Sequence, residues 1–174
     1  TLELKTEDDA FQFLLNGQPI YAMGSNVVPF DIIPNRINPR EERSIIDAAI
    51  EANMNMLRVW GGGFYASDNF MDYCDTKGML VWHDFMFACA MYPGNDEYLN
   101  SVREEVKYQT QRLRHHPSLA IWCGNNEVSE GWERWGWKNG LSESEVNAVS
   151  DSYHELFSQL IPNVVTKYDD APYW

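Results

Sequence analysis

Hydrophobic and polar positions alternate along the first stretch of the chain and then change period. In "FQFLLNGQPIYAMGSN", from Phe11 to Asn26, two short alternating runs flank Asn16-Gly17, a dipeptide suited to a two-residue turn at positive φ. A β-hairpin is predicted there. Short apolar runs without clean alternation follow at Tyr21–Ser25, Met54–Trp60, Met79–His83 and Leu119–Cys123, the pattern of strands covered on both faces. Between these runs the spacing becomes helical. Asn38, with Pro39 in the first turn and Glu41 three residues on, opens a helix expected to reach about Ala52. Ser67 opens a shorter one, with Phe70, Met71 and Cys74 on one face and Gly78 as its stop. Glu97 to His115 reads as a long helix ended by Pro117, and Ser142 with Glu145 caps another, expected through about Leu160. Strand and helix thus alternate four times, which implies parallel pairing through crossovers.

Length turns this pattern into a choice. The chain has 174 residues and four βα units, whereas a closed (β/α)8 TIM barrel needs eight units and typically about 250 residues. Either the fold is a small, open, doubly wound sheet, or it is an α/β barrel truncated to about its first four units behind an N-terminal hairpin. The truncated barrel would leave strand edges unpaired, so self-association through exposed barrel edges is expected of it.

Composition narrows the partners. Hydrophobic residues make up 44% and aromatic residues 14%, which argues for a packed domain. A formal charge of −13 argues against nucleic acid, whose phosphates require clustered Lys and Arg. No apolar run approaches the roughly 20 residues of a membrane span, and "TLELKTEDDA" lacks the basic and apolar regions of a signal peptide. Cys74, Cys89 and Cys123 lie among apolar neighbours and read as buried free thiols. Zinc held by these cysteines with His83, His115 or His116 is disfavoured, since neither HExxH nor CxxC occurs. No cofactor is expected.

Two site readings compete. In "VWGGGFYA", Gly61, Gly63 and Ala66 fit a G-x-G-x-x-A dinucleotide motif, and Asp84 lies where a ribose-binding acid belongs. Against this, the following helix opens only at Ser67, and bulky Phe64 and Tyr65 stand where phosphates would approach. The barrel reading gathers more residues. Its strand ends supply Asn26, Trp60, Asp84, and Asn126 with Glu127, and the chemistry of that fold collects at strand ends. Amides, carboxylates and an indole suit a sugar, with hydrogen bonds for hydroxyls and an aromatic face for C–H groups. Glu127, near Trp122, Trp132 and Trp135 in sequence, is expected in a partly desolvated pocket, as a general acid working near neutral pH requires. A carbohydrate-binding module would keep the tryptophans but has no need of Asn126-Glu127.

The stretches "NGQPIYAMGSNVVP", "NMLRVWGGGFY", "YCDTKGMLVWHDFMFACAMYP" and "HPSLAIWCGNNE" together resemble the catalytic barrel of family 2 glycoside hydrolases. Within that family the chain looks like the β-mannosidases; a β-galactosidase, β-glucuronidase or endo-β-mannosidase is the alternative. The resemblance implies residues 1–174 as part of a catalytic barrel, with residues 1–10 as a tail from a preceding β-sandwich domain. It implies Glu127 as acid/base, Asn126 as partner of the sugar 2-hydroxyl, and Trp60 and Trp135 as aromatic walls of the sugar site. Asp84 would shape the pocket, and Arg58 would support the catalytic carboxylates. The implied reaction is retaining hydrolysis of β-mannosides through two carboxylates about 5–5.5 Å apart. The nucleophile is expected on a later strand, beyond Trp174, so the chain alone is expected to be inactive.

Overall fold

A computed structural model describes residues 1–6 and 11–174. Residues 7–10 of the expected N-terminal tail lie outside the described residues. Leu2–Lys5 forms β1, antiparallel to β2 (Gln12–Leu15), with Leu4 opposite Phe13. The predicted hairpin joins β2 to β3 (Gln18–Ile20), and Asn16 and Gly17 take φ of 50° and 77°, as a primed turn requires.

The second sheet is parallel and runs β4 (Gly24–Val27), β5 (Met56–Val59), β6 (Leu80–Asp84), β7 (Leu119–Cys123) in spatial order. Its order follows the sequence without reversal, whereas a doubly wound sheet turns back at its switch point. The C-terminal residues extend the series. Trp122 N donates to Pro172 O at 2.9 Å and Trp174 N to Trp122 O at 2.8 Å, a parallel bridge between Trp122 and Tyr173. The first parallel strand begins at Gly24, three residues later than Tyr21. A Cβ at Gly24 would lie 1.8 Å from the Met56 carbonyl oxygen, so pairing with β5 demands glycine there and sets the register.

The helices begin largely where their caps predict. In α1 (Pro39–Glu51) Asn38 accepts from Arg40 N, and in α2 (Asp68–Lys77) Ser67 accepts from Phe70 N before Gly78 stops the helix at φ 68°. Asn95 caps α3 (Asp96–Leu113). The short α4 (Val128–Arg134) was not foreseen from the residue pattern. The Ser142–Glu145 capping box opens α5 (Glu143–Tyr153). That helix does not end near Leu160: π-helical turns at His154–Leu160 lead into α6 (Ile161–Tyr168). Its apolar residues, Leu156, Phe157, Leu160, Ile161, Val164 and Val165, keep being buried across the junction.

The helices share one face of the parallel sheet. There Leu57, Val59, Val81 and Trp122 meet Ile46, Phe70, Met71, Val102, Val106 and Leu160. On the opposite face Met56, Leu80 and Ile121 pack against Phe13 of the hairpin. The rest of that face is an open concavity of about 870 Å³ whose walls include Phe11, Asn26, Arg58 and Trp82. Val81 pairs with Leu119 but Trp82 with Ile121, which makes Ala120 a bulge. The extra residue keeps Trp122 under the helices while Cys123 stands opposite Asp84.

Candidate active site

One chain of polar side chains crosses the ends of β5, β6 and β7. Asp84, last in β6, is fully buried, where an unpaired carboxylate would be costly. It accepts hydrogen bonds from Arg58 Nε at 3.1 Å and Nη2 at 2.7 Å, from Trp82 Nε1 at 2.9 Å and from Gly61 N at 3.0 Å. Burial works against the Arg58 charge, but the Asp84 hydrogen bonds and attraction outweigh it and raise the guanidinium pKa. Arg58 Nη2 also donates to Asn126 Oδ1 at 3.0 Å. Arginine has no acceptor, so this bond fixes the amide with its nitrogen pointing away from Arg58. That nitrogen, Asn126 Nδ2, donates to Glu127 Oε2 at 2.6 Å.

The loop after β6 locks the far side. Asn126 N donates to Phe87 O at 2.9 Å, and Cys89 N to Asn126 O at 3.1 Å. Cys89 Sγ lies 3.5 Å from Glu127 Oε2. Both Cys89 and Glu127 hold positive φ, 48° and 60°, strained for non-glycine residues and typical of functional sites. Gly61 fits the same crowding: a Cβ there would lie 2.7 Å from Phe85 O and 2.8 Å from Phe87 O. Behind the rim, buried His83 donates from Nδ1 to Asp84 O at 2.7 Å and accepts from Ala66 N on Nε2 at 3.1 Å. Burial pushes its pKa down to about 4, so the ring is neutral and ties β6 to the loop after β5.

The structure therefore joins Arg58, Asp84, Asn126 and Glu127, and places Asn26 beside Arg58 in register, exposed on the open concavity. It corrects four expectations. Glu127 is exposed, and none of Trp122, Trp132 and Trp135 lines its groove, where the indole is that of Trp174. Trp122 is buried beneath the helices with Nε1 on Asp169 Oδ2 at 2.8 Å, and Trp132 is buried under Lys138. Trp135 is half-exposed and edge-on to Trp137, while Trp60 lies over Gly62. The walls of the groove of about 370 Å³ around Glu127 include Arg58, Asn125, Asn126, Tyr173 and Trp174. Among the described residues neither Trp60 nor Trp135 lines it. Asp84, with both oxygens engaged inside the protein, faces no ligand. That removes its direct sugar contact and equally its role as a ribose ligand, while Ala66 N of the glycine motif is taken by His83. Cys74 and Cys123 are buried as expected, but Cys89 is exposed.

Sequence reasoning missed Cys89, Gly61 and Tyr173. Three consecutive glycines after a strand signal a close approach for Gly61, while nothing near Cys89 or Tyr173 in sequence points to Glu127. Among the described residues, Asp72, Asp75 and His116 form the one cluster of metal-ligating type. Asp75 Oδ2 lies 2.7 Å from His116 Nδ1, but His116 Nε2 is buried without a partner. A metal-bound histidine needs a partner for its second nitrogen, so the cluster reads as a hydrogen-bonded Asp75–His116 pair.

No family model matches the chain. It is 47% identical over 161 residues to the β-mannosidase of Capra hircus, matching 92% of this chain and 18% of that protein. It is 36% identical over 168 residues to β-mannosidase B of Aspergillus fumigatus, matching 95% of this chain and 20% of that protein. The crystal structure of a β-D-mannosidase from Dictyoglomus thermophilum superposes with a TM-score of 0.84 at 38% identity, covering 99% of this chain and 20% of that one. A Bacteroides uniformis β-glucuronidase, 21% identical with a TM-score of 0.76 over 94% of this chain and 20% of that one, shares the fold. The β-mannosidase matches support a place among the family 2 glycoside hydrolases. Within them it is a homologue of the β-mannosidases, and it spans about a fifth of the length of the curated relatives it matches.

Proposed function

We propose that the chain is the first part of a catalytic (β/α)8 barrel in a retaining β-mannosidase, with Glu127 as general acid/base. The observation that carries this reading is the Asn126-Glu127 pair at the end of β7, held in one orientation by Arg58. The barrel is supported by a parallel sheet that adds strands in sequence order, and by Pro172–Trp174 alongside β7 as a fifth position. Singly wound order puts every helix on one face and leaves the other to close on itself.

In this mechanism Glu127 gives its proton to the leaving glycosidic oxygen while a second carboxylate attacks the anomeric carbon. It then takes a proton from the incoming water. Asn126, with its oxygen committed to Arg58, can offer a sugar hydroxyl only an N–H, one that it otherwise gives to Glu127 or Cys89. Asp84 contributes through Arg58 and touches no sugar. Asn26, beside Arg58 on the open concavity, is available to a sugar hydroxyl. Glu127 stands exposed in the groove, so this mechanism requires bound substrate and the remaining barrel to cover it and keep water from the leaving oxygen.

The full-length protein is expected to hydrolyse aryl β-mannosides. Glu127→Ala should lower the rate on poor leaving groups about 10²–10⁴-fold and far less on activated aryl leaving groups. Azide should restore turnover as a glycosyl azide. Equal losses on both substrate types, with no azide effect, would remove Glu127 from the acid/base role.

A further inference from the structure

The Glu127 carboxylate is held from one side only. Asn126 Nδ2 and Cys89 Sγ both reach Oε2, at 2.6 Å and 3.5 Å. Among the described residues no hydrogen bond reaches Oε1. Asn126 Nδ2 also lies 3.7 Å from Cys89 Sγ, which closes a triangle of the three side chains. The thiol is there because the backbone puts it there: Cys89 N bonds Asn126 O, and Ala88 N receives further support from the Tyr92 hydroxyl at 2.7 Å. Packing does not account for a cysteine at this position, since it is exposed and its φ of 48° favours glycine.

We propose that Cys89 is a positioning residue for Glu127. Its thiol and the Asn126 amide together occupy Oε2, so the transferable proton resides on Oε1. This rests on the reading of Glu127 as acid/base. The thiol donates while the glutamate is ionised; when a proton arrives, the occupied oxygen leaves Oε1 as the open seat. The same contact acts back on the thiol: burial first, then the hydrogen bond to Glu127, raise its pKa and keep it protonated.

Two measurements on the full-length protein test this. Cys74 and Cys123 are buried, so within this segment a small thiol reagent reports on Cys89 in the native state. Glu127→Gln should raise the Cys89 reaction rate at pH 7 about threefold, because a neutral neighbour no longer opposes the thiolate. Cys89→Ala should move the basic limb of kcat/KM up by about half a pH unit and slow poor leaving groups several-fold; Cys89→Ser, which keeps a donor, should return the limb toward its original position. A reaction rate unchanged by Glu127→Gln, with superimposable pH profiles for wild type and Cys89→Ala, would overturn the proposal. If the thiol rate responds but no β-mannoside is hydrolysed, the contact between the two residues stands and the reading of the enzyme falls.

Discussion

The two faces of the parallel sheet are drawn from alternate residues of the same strands. On the helix side Leu57, Val59, Val81 and Trp122 are buried in one continuous apolar cluster. On the other side Arg58, Trp82 and Asp84 stand one residue along, and apolar cover is concentrated at the hairpin end, around Met56, Leu80 and Ile121. Side chains that alternate every residue let one strand serve both purposes. The covered face gains stability from apolar area removed from water. The open face has its polar groups satisfied by one another, so they can be held still beside a solvent-filled groove. Stability and chemistry are separated by a single step along each strand, and four substitutions probe that separation.

Asp84→Ala tests the open face hardest. It leaves Arg58 without a counter-ion and strips the acceptor from Gly61 N and Trp82 Nε1. Breaking a buried pair from one side costs about 3–5 kcal/mol. Urea unfolding should show that loss, and kcat/KM should fall too, since Arg58 no longer orients Asn126. Undiminished kcat/KM in the folded variant would break the link between Asp84 and the site. On the covered face, Phe70→Ala empties a fully packed position and should cost about 3 kcal/mol. Activity per folded molecule should be unchanged; a lower kcat at saturating substrate would show that the faces are not independent.

His83 is buried on the helix face against Trp122 and Tyr65, and its effect depends on pH. Its folded pKa of about 4 lies below the ordinary value of 6.5, so between those values the unfolded chain binds more protons. Its contribution is therefore present above about pH 6.5 and is lost progressively as pH falls toward 4, by up to about 3 kcal/mol. Denaturation midpoints of wild type and His83→Asn across that window should converge at low pH. Parallel curves would place the titration elsewhere. The smallest effect concerns backbone strain. Glu127 holds φ of 60°, so Glu127→Gly should stabilise the fold by about 0.5–1 kcal/mol while removing the proposed acid. A destabilised Glu127→Gly would mean that the carboxylate's own contacts outweigh the strain.

Much of the architecture is legible in the residues alone. Asn16-Gly17, Ser67 with Gly78, and Ser142 with Glu145 each mark a boundary that the structure keeps. These are short-range devices whose hydrogen bonds close within a few residues. The Asn126-Glu127 pair is legible too, because an amide and a carboxylate directly after a buried strand are costly to place unless a site at the strand end uses them. What failed depended on partners far along the chain. The start of β4 is set by contact between Gly24 and Met56. The indoles near Glu127 in sequence turn to other faces, because the bulge at Ala120 and the helical turn of α4 redirect them.

By itself, then, the sequence determined the alternation of strand and helix, the caps and turns, and the residue types gathered at the strand ends. Those follow from local sterics and hydrogen-bond geometry, which neighbouring residues dictate. Only the tertiary structure decided that Asp84 turns inward to hold Arg58, that Glu127 stands in an open groove, and that an exposed Cys89 shares its oxygen with Asn126. These are settled by which distant segments meet, and Cys89 and Glu127, 38 residues apart, come into contact only when the sheet assembles.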